Sequence, residues 1–279
     1  MIFSPEPSAP SELAGKGVEG IKSSGVISLH LSDPGKRSPC FSHANDRIWQ
    51  SGITGMITIV PAVYLYRKDR DRRVFGRLVS NPPGEKLNLG ECGLLLLFGA
   101  GLAFYVNLFV GILQIFVQDN TYQNMMESIT TGYSLWEMIL WMGIVAPLAE
   151  ETIFRWLMYL RLRDYMRIPA AAILSGVIFG VFHGNFVQII YAGILGAVMA
   201  YILEMSGNLW SSVLLHIGAN VFSLLLTEAA PKLLALEGTP YAAMANTAVL
   251  TLYGILLAAV IFGIFHFVKK GKKRGYRAI

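Results

Sequence analysis

The sequence predicts an all-α fold, a polytopic transmembrane helical bundle of about seven spans, within a range of six to eight. Hydrophobic residues make up 54% of the 279 residues and charged residues only 15%. The mean hydropathy of +0.51 is too high for an ordinary soluble domain. Apolar stretches of about 20 residues, the length that crosses a bilayer, recur along the chain with basic runs beside them.

The ends of the chain differ in character from the apolar region between them. Residues 1–47 are rich in Ser, Gly and Pro with little periodicity, which predicts a disordered N-terminal extension. Residues 48–268 form the predicted membrane domain, and residues 269–279 a basic cytoplasmic tail. Cys40 and Cys92 match no metal or redox spacing and are interpreted as bystanders.

Seven apolar stretches are long enough to be candidate spans, although the first and fourth are short. They cover residues 49–66, 91–117, 135–160, 168–184, 186–204, 208–227 and 243–268.

Basic residues follow the first, third and seventh candidate spans, as in the runs 67–77, 161–167 and 269–274. If the spans alternate in direction, all three runs fall on one side, which the excess of Lys and Arg identifies as cytoplasmic. The net charge of +5 therefore indicates topology signals and not a nucleic-acid partner. The sequence therefore predicts a multi-pass integral membrane protein that contacts the lipid bilayer and has a cytoplasmic C-terminus. The predicted location is a bacterial cell membrane.

The third span contains Glu150, Glu151 and Arg155, which are costly inside a membrane and therefore suggest a function. Residues four apart share a helix face, whereas adjacent residues diverge by roughly 100°. Glu151 is thus predicted to pair with Arg155, which leaves Glu150 free for acid/base work. Pro147 removes a backbone donor and is predicted to kink the helix, leaving the carbonyl of Gly143 unpaired.

Two further spans carry polar or aromatic pairs at the same spacing of four. Phe179 and His183 end the fourth span, and His216 and Asn220 lie in the sixth. Counted from the cytoplasmic ends at about 1.5 Å per residue, Glu150, His183 and His216 are predicted to meet near mid-membrane. Glu204, at the end of the fifth span, is interpreted as an interfacial cap.

These residues resemble the CAAX protease and bacteriocin-processing family of intramembrane glutamate-dependent endopeptidases. Its three motifs occur in order within residues 135–225, as Glu-Glu-x-x-x-Arg from Glu150 to Arg155, Phe-x-x-x-His from Phe179 to His183, and His-x-x-x-Asn from His216 to Asn220.

The resemblance implies that Glu150 and His183 activate a water that attacks the scissile carbonyl of a peptide or membrane-associated protein. It implies that His216 and Asn220 stabilise the oxyanion. Supporting roles fall to Glu151, Arg155 and Phe179, and no metal or other cofactor is implied. Eukaryotic members of this family cut prenylated CAAX tails, but no segment of this sequence is readable as a prenyl-recognition element.

Two other functions fit the same residues. His183, His216 and Glu150 are also the residue types of a zinc site, although no His-Glu-x-x-His helix is present. The buried charges would also suit a non-enzymatic immunity or transport protein with an ion path, although no inverted repeat is evident.

Overall fold

The structure, a computed structural model, describes residues 39–76, 83–117 and 130–274. Seven helices and no strands lie in these ranges, which confirms the predicted polytopic helical bundle. The helices are α1 (Pro39–Phe75), α2 (Leu89–Val117), α3 (residues 135–165), α4 (Ile168–Phe182), α5 (Phe186–Ser206), α6 (Trp210–Leu234) and α7 (Ala242–Lys273). By length and composition, α2, α5, α6 and α7 are each able to cross a membrane, and α4 is a shorter apolar helix.

The first helix overlaps the last residues of the predicted N-terminal extension, 1–47. Helix α1 begins at Pro39, so residues 39–47 are helical and not part of a disordered segment. Proline suits the first turn of a helix, because the amide hydrogen it lacks would have no partner there. Residues 1–38 of the predicted extension and residues 275–279 of the predicted tail lie outside the described residues.

Helix α3 changes its winding four times along its length. A capping box of Ser134 and Glu137 starts it, and the segments that follow alternate between α and π geometry. These segments are Leu135–Met138 (α), Ile139–Val145 (π), Ala146–Glu151 (α), Thr152–Tyr159 (π) and Leu160–Tyr165 (α). Both glutamates therefore lie on a short α segment between two π stretches, a type of irregularity that is frequent at functional sites.

Glycines bring α4 and α6 into close contact with neighbouring helices. A Cβ added at Gly180 of α4 would meet the backbone carbonyl of Ile189 in α5, and one added at Gly99 of α2 would meet the carbonyl of Leu215 in α6. Small residues at such crossings let membrane helices approach closely. The contact at Gly180 places the C-terminal end of α4 against α5.

One end of the bundle collects most of the interhelical ion pairs. Arg73 of α1 donates to the carbonyl of Leu160 at 2.6 Å and pairs with Asp164 of α3. Lys270 of α7 pairs with Glu91 of α2 at 2.7 Å. Glu204 of α5 links the two groups, because it pairs with Arg163 of α3 and its carbonyl accepts from Arg274 after α7, so the C-terminal ends of α1, α3, α5 and α7 lie at one end of the bundle.

Glu204 does not cap its helix. It accepts a hydrogen bond from the Tyr159 hydroxyl at 2.9 Å and pairs with Arg163 at 3.2 Å. The cap of α5 is Gly207, which has a φ of 67°. In this left-handed conformation a glycine has no Cβ to clash.

Candidate active site

The two adjacent glutamates of α3 lie in different environments, because consecutive helical residues point in different directions. The side chain of Glu151 is fully buried, whereas that of Glu150 is 30% exposed. A carboxylate that is to exchange protons with water and substrate has to be accessible. Of the two, Glu150 has that accessibility.

Arg155 pairs with Glu151, as the spacing of four residues predicted. Its Nη1 atom lies 3.0 Å from Oε1 of Glu151, and both side chains are fully buried. The guanidinium carbon stacks 4.2 Å from the ring centroid of Phe179, a cation–π contact. Gly196 of α5 leaves the space that this head group fills, because a Cβ there would lie 2.8 Å from Nη2 of Arg155.

His216 of α6 lies between the two glutamates. Its Nδ1 atom is 2.9 Å from Oε1 of Glu151, and its Nε2 atom is 3.8 Å from Oε2 of Glu150. The first distance is a hydrogen bond, and the second is longer than one. Glu151 therefore joins α3 to α6 through His216, in addition to pairing along its own helix.

His183 lies directly after the last residue of α4, and its orientation is fixed by its own helix. Its Nδ1 atom donates to the Phe179 carbonyl at 2.9 Å, so the neutral ring carries its proton on Nδ1 and leaves Nε2 as an acceptor. The Phe179 ring lies edge-on to both histidines, with centroid distances of 4.8 Å to His183 and 5.8 Å to His216. Phe179 is thus the common packing surface of the two rings.

Asn220 of α6 is already committed to one hydrogen bond. Its Nδ2 atom donates to the carbonyl of Met142 in α3 at 2.9 Å. In this π stretch the N–H of Ala146 donates to the carbonyl of Trp141, five residues earlier. By the same register, the N–H of residue 147 would donate to the carbonyl of Met142. Pro147 has no N–H to give, and the Asn220 amide supplies the missing donor.

The carbonyl predicted to lack a donor was that of Gly143, because the prediction assumed α-helical winding. In the π winding that precedes Ala146, the carbonyl to which Pro147 gives no backbone donor is that of Met142. An Asn side chain has two N–H hydrogens on Nδ2, so one donor of Asn220 is left for another acceptor.

The charges of the cluster are partly compensated within it. Arg155 neutralises Glu151 in a fully buried pair, whereas Glu150 is 30% exposed. Buried charges are tolerated when they are paired. Nδ1 of His216 donates to Glu151, and its Nε2 is directed toward Glu150.

Within the described ranges, no three His, Cys, Asp or Glu side chains are grouped so as to hold a metal ion. Nδ1 of each histidine is engaged, by Glu151 in His216 and by the Phe179 carbonyl in His183, so Nε2 is the ring nitrogen that each leaves open.

Fold and site together define a class: a multi-pass helical membrane protein with a partly buried cluster of carboxylates, histidines and an amide, contributed by three helices. These are the side chains of water-activating hydrolytic sites.

A comparison with known protein families agrees with this class. Residues 132–222 match the family described as type II CAAX prenyl endopeptidase Rce1-like. The match confirms the resemblance that the three motifs indicated, and it contains all of the site residues named above.

One relative is a protein of Bacillus subtilis (strain 168) whose name is "Putative membrane peptidase YdiL". It is 27% identical over 89 residues, which are 32% of this chain and 36% of the relative. The chain thus aligns with about a third of that relative's length. No solved structure gives a significant match.

The sequence predicted the pair of Glu151 with Arg155, but two other contacts of the candidate residues were not predicted. The bond between Glu151 and His216 joins residues 65 positions apart, and nothing in the local pattern indicates it. The bond from Asn220 to Met142 had a partial signal in Pro147, which identified a missing donor but not its π register.

Proposed function

We propose that this protein is an intramembrane endopeptidase that cleaves a peptide or membrane-associated protein with a glutamate- and histidine-activated water, without a metal. One observation carries the proposal: the Glu150 carboxylate is accessible, while its neighbour Glu151 is buried in an ion pair and a hydrogen bond. In this proposal Glu150 is the catalytic carboxylate and Glu151 is the structural one. The family match and the name of the relative support peptidase chemistry.

In the proposed reaction, Glu150 removes a proton from a water molecule as the water oxygen attacks the scissile carbonyl carbon. His183 orients that water by accepting its other hydrogen at Nε2, the ring nitrogen left free by the bond to the Phe179 carbonyl. The attack forms a tetrahedral intermediate with a negatively charged oxygen. Glu150 then returns the proton to the leaving amine as the C–N bond breaks.

The oxyanion is stabilised from α6. His216 and the second N–H of Asn220 are the stabilising groups, and in a dry site such preorganised groups lower the barrier strongly. Glu151 holds His216 in the required orientation by accepting its Nδ1–H at 2.9 Å. The two remaining contacts, from Asn220 to Met142 and from Arg155 to Glu151, fix the helices that carry these groups.

The substrate is sought by comparing membrane-associated peptides from cells that make the wild-type protein or its Glu150→Gln variant. The proposal predicts an uncut precursor that accumulates only with the variant. The purified protein is then given that peptide and, because of the family's description, a prenylated CAAX peptide with its unprenylated form.

His183→Ala is expected to abolish cleavage; wild-type turnover by His183→Ala would contradict the water-orienting role.

Chelation separates this mechanism from a zinc peptidase. Cleavage is expected to survive prolonged dialysis against a chelator, with elemental analysis showing less than stoichiometric metal. Loss of activity on chelation and its return on adding Zn²⁺ would establish the zinc alternative.

A further inference from the structure

A groove of about 400 Å³ lies between α1 and α3 at the basic end of the bundle, away from the candidate active site. It is lined by Leu65, Lys68, Asp69 and Arg72 of α1, and by Leu157 and Arg161 of α3. The α1 residues recur at intervals of three and four, and the α3 residues are four apart, so each set lies on one helix face.

The groove has an apolar layer and a cationic layer. Helices α1 and α3 run in the same direction, because contacts such as Tyr66 with Trp156 and Asp69 with Arg161 follow the same order along both helices. On each helix the leucine lies farther from the C-terminal end, and the cation follows one to two turns nearer that end. Seven residues separate Leu65 from Arg72, which is about 10 Å along the axis.

The groove carries an excess of positive charge that the protein does not neutralise. Arg161 pairs with Asp69, but neither Lys68 nor Arg72 has an ion pair with another described residue. The Arg161 side chain is still 52% exposed despite its pair, and Leu65 is 51% exposed. Three cations against one carboxylate leave a net charge of +2 above exposed aliphatic surface.

The position of this charge along the helices corresponds to the membrane boundary. Tyr165, one turn beyond Arg161, is 86% exposed, and exposed tyrosines are typical of the level of the lipid headgroups. The cationic layer is therefore at headgroup depth, and the leucines are at the depth of the first acyl-chain carbons.

From this layering we propose that the groove binds an anionic phospholipid, with its headgroup phosphate among Lys68, Arg72 and Arg161 and an acyl chain against Leu65 and Leu157. Arg and Lys are the usual phosphate partners, and basic residues at a membrane surface attract anionic lipid by about 1 kcal/mol each. The lipid bridges α1 to α3, adding to the ion pair between Asp69 and Arg161. Binding therefore stabilises the helix that carries both site glutamates.

The test is native mass spectrometry of the purified full-length protein with equal amounts of phosphatidylglycerol and phosphatidylcholine. We expect phosphatidylglycerol to be retained in preference. The double variant Lys68→Gln, Arg72→Gln is expected to weaken its binding about 10- to 30-fold, because two cations are lost. Both side chains are exposed and unpaired with described residues, so the variant is expected to fold, and the single variants provide a second series.

The matched control is Lys272→Gln, Lys273→Gln, which removes two exposed charges at the same end of the bundle but outside the groove. This control loses the same general attraction to an anionic surface but no phosphate partner, so it is expected to weaken phosphatidylglycerol binding at least about threefold less than the groove variant does. Equal retention of the two lipids, or equal loss in control and groove variants, would overturn the proposal. The proposal is also overturned if inorganic phosphate alone raises the unfolding temperature as much as phosphatidylglycerol does, since the acyl chain would then contribute nothing.

Discussion

Replacing Arg155 by Met tests the buried charge balance of the site. Methionine keeps most of the side-chain volume against Phe179 but removes the charge, so Glu151 loses a partner 3.0 Å away in a fully buried position. At an effective dielectric of about 20, a pair at this distance interacts by about 5 kcal/mol. Some of this is offset because Arg155 no longer needs to be desolvated, so we expect a loss of about 3–5 kcal/mol in the free energy of unfolding.

A second substitution distinguishes this electrostatic effect from a packing defect. Glu151→Gln in the same chain removes the unpaired carboxylate, while its amide oxygen still accepts from Nδ1–H of His216. Neither member of the buried pair of Arg155 and Glu151 is then left without its partner. The double variant is therefore expected to be at least about 2 kcal/mol more stable than the sum of the two single losses predicts.

The assay is Trp fluorescence during titration of the purified protein from a mild into a denaturing detergent, for wild type, both single variants and the double variant. A loss below about 1 kcal/mol in Arg155→Met would refute the reasoning. Additivity of the two single effects within about 0.5 kcal/mol would do so as well, because it would mean that the charges do not depend on each other.

Two further predictions concern packing around the site. Asn220→Ala leaves the Met142 carbonyl without a donor and is expected to cost about 1–3 kcal/mol in the same titration; an unchanged midpoint would mean that another group serves that carbonyl. Gly196→Ala is expected to lower the unfolding temperature strongly, since its Cβ would lie 2.8 Å from Nη2 of Arg155, whereas Gly193→Ala, whose nearest contact would be at 3.6 Å, is expected to be tolerated. Equal behaviour of the two alanine variants would contradict the packing described here.

The fold was largely predictable because a bilayer admits few structures. Apolar length and basic flanks were enough to predict seven helices, and all but α1 begin within two residues of the predicted bound; α1 begins at residue 39 and not at 49. The winding of α3 was not predictable in the same way. Its π stretches depend on which carbonyls find donors on other helices, as Met142 does with Asn220.

The contacts among the candidate site residues were predictable only in part. Spacing on one helix predicted the pair of Glu151 with Arg155, because residues four apart are neighbours whatever the rest of the fold does. The contact of Glu151 with His216 depends on the rotation of α6 against α3, which is set by packing across the bundle. The role of Glu151 is accordingly larger than the sequence indicated, since it orients a histidine as well as pairing with an arginine.

The central claim is that Glu150, and not its neighbour, is the catalytic carboxylate. The most direct measurement is the single-turnover cleavage rate of the identified substrate by purified Glu150→Gln, beside Glu237→Gln as an exposed glutamate far along the chain from the motifs. General-base catalysis contributes about 10²- to 10⁴-fold, so Glu150→Gln is expected to lose at least about a hundredfold in rate at an unchanged unfolding midpoint, while Glu237→Gln keeps the wild-type rate. Cleavage by a folded Glu150→Gln at the wild-type rate would contradict the account.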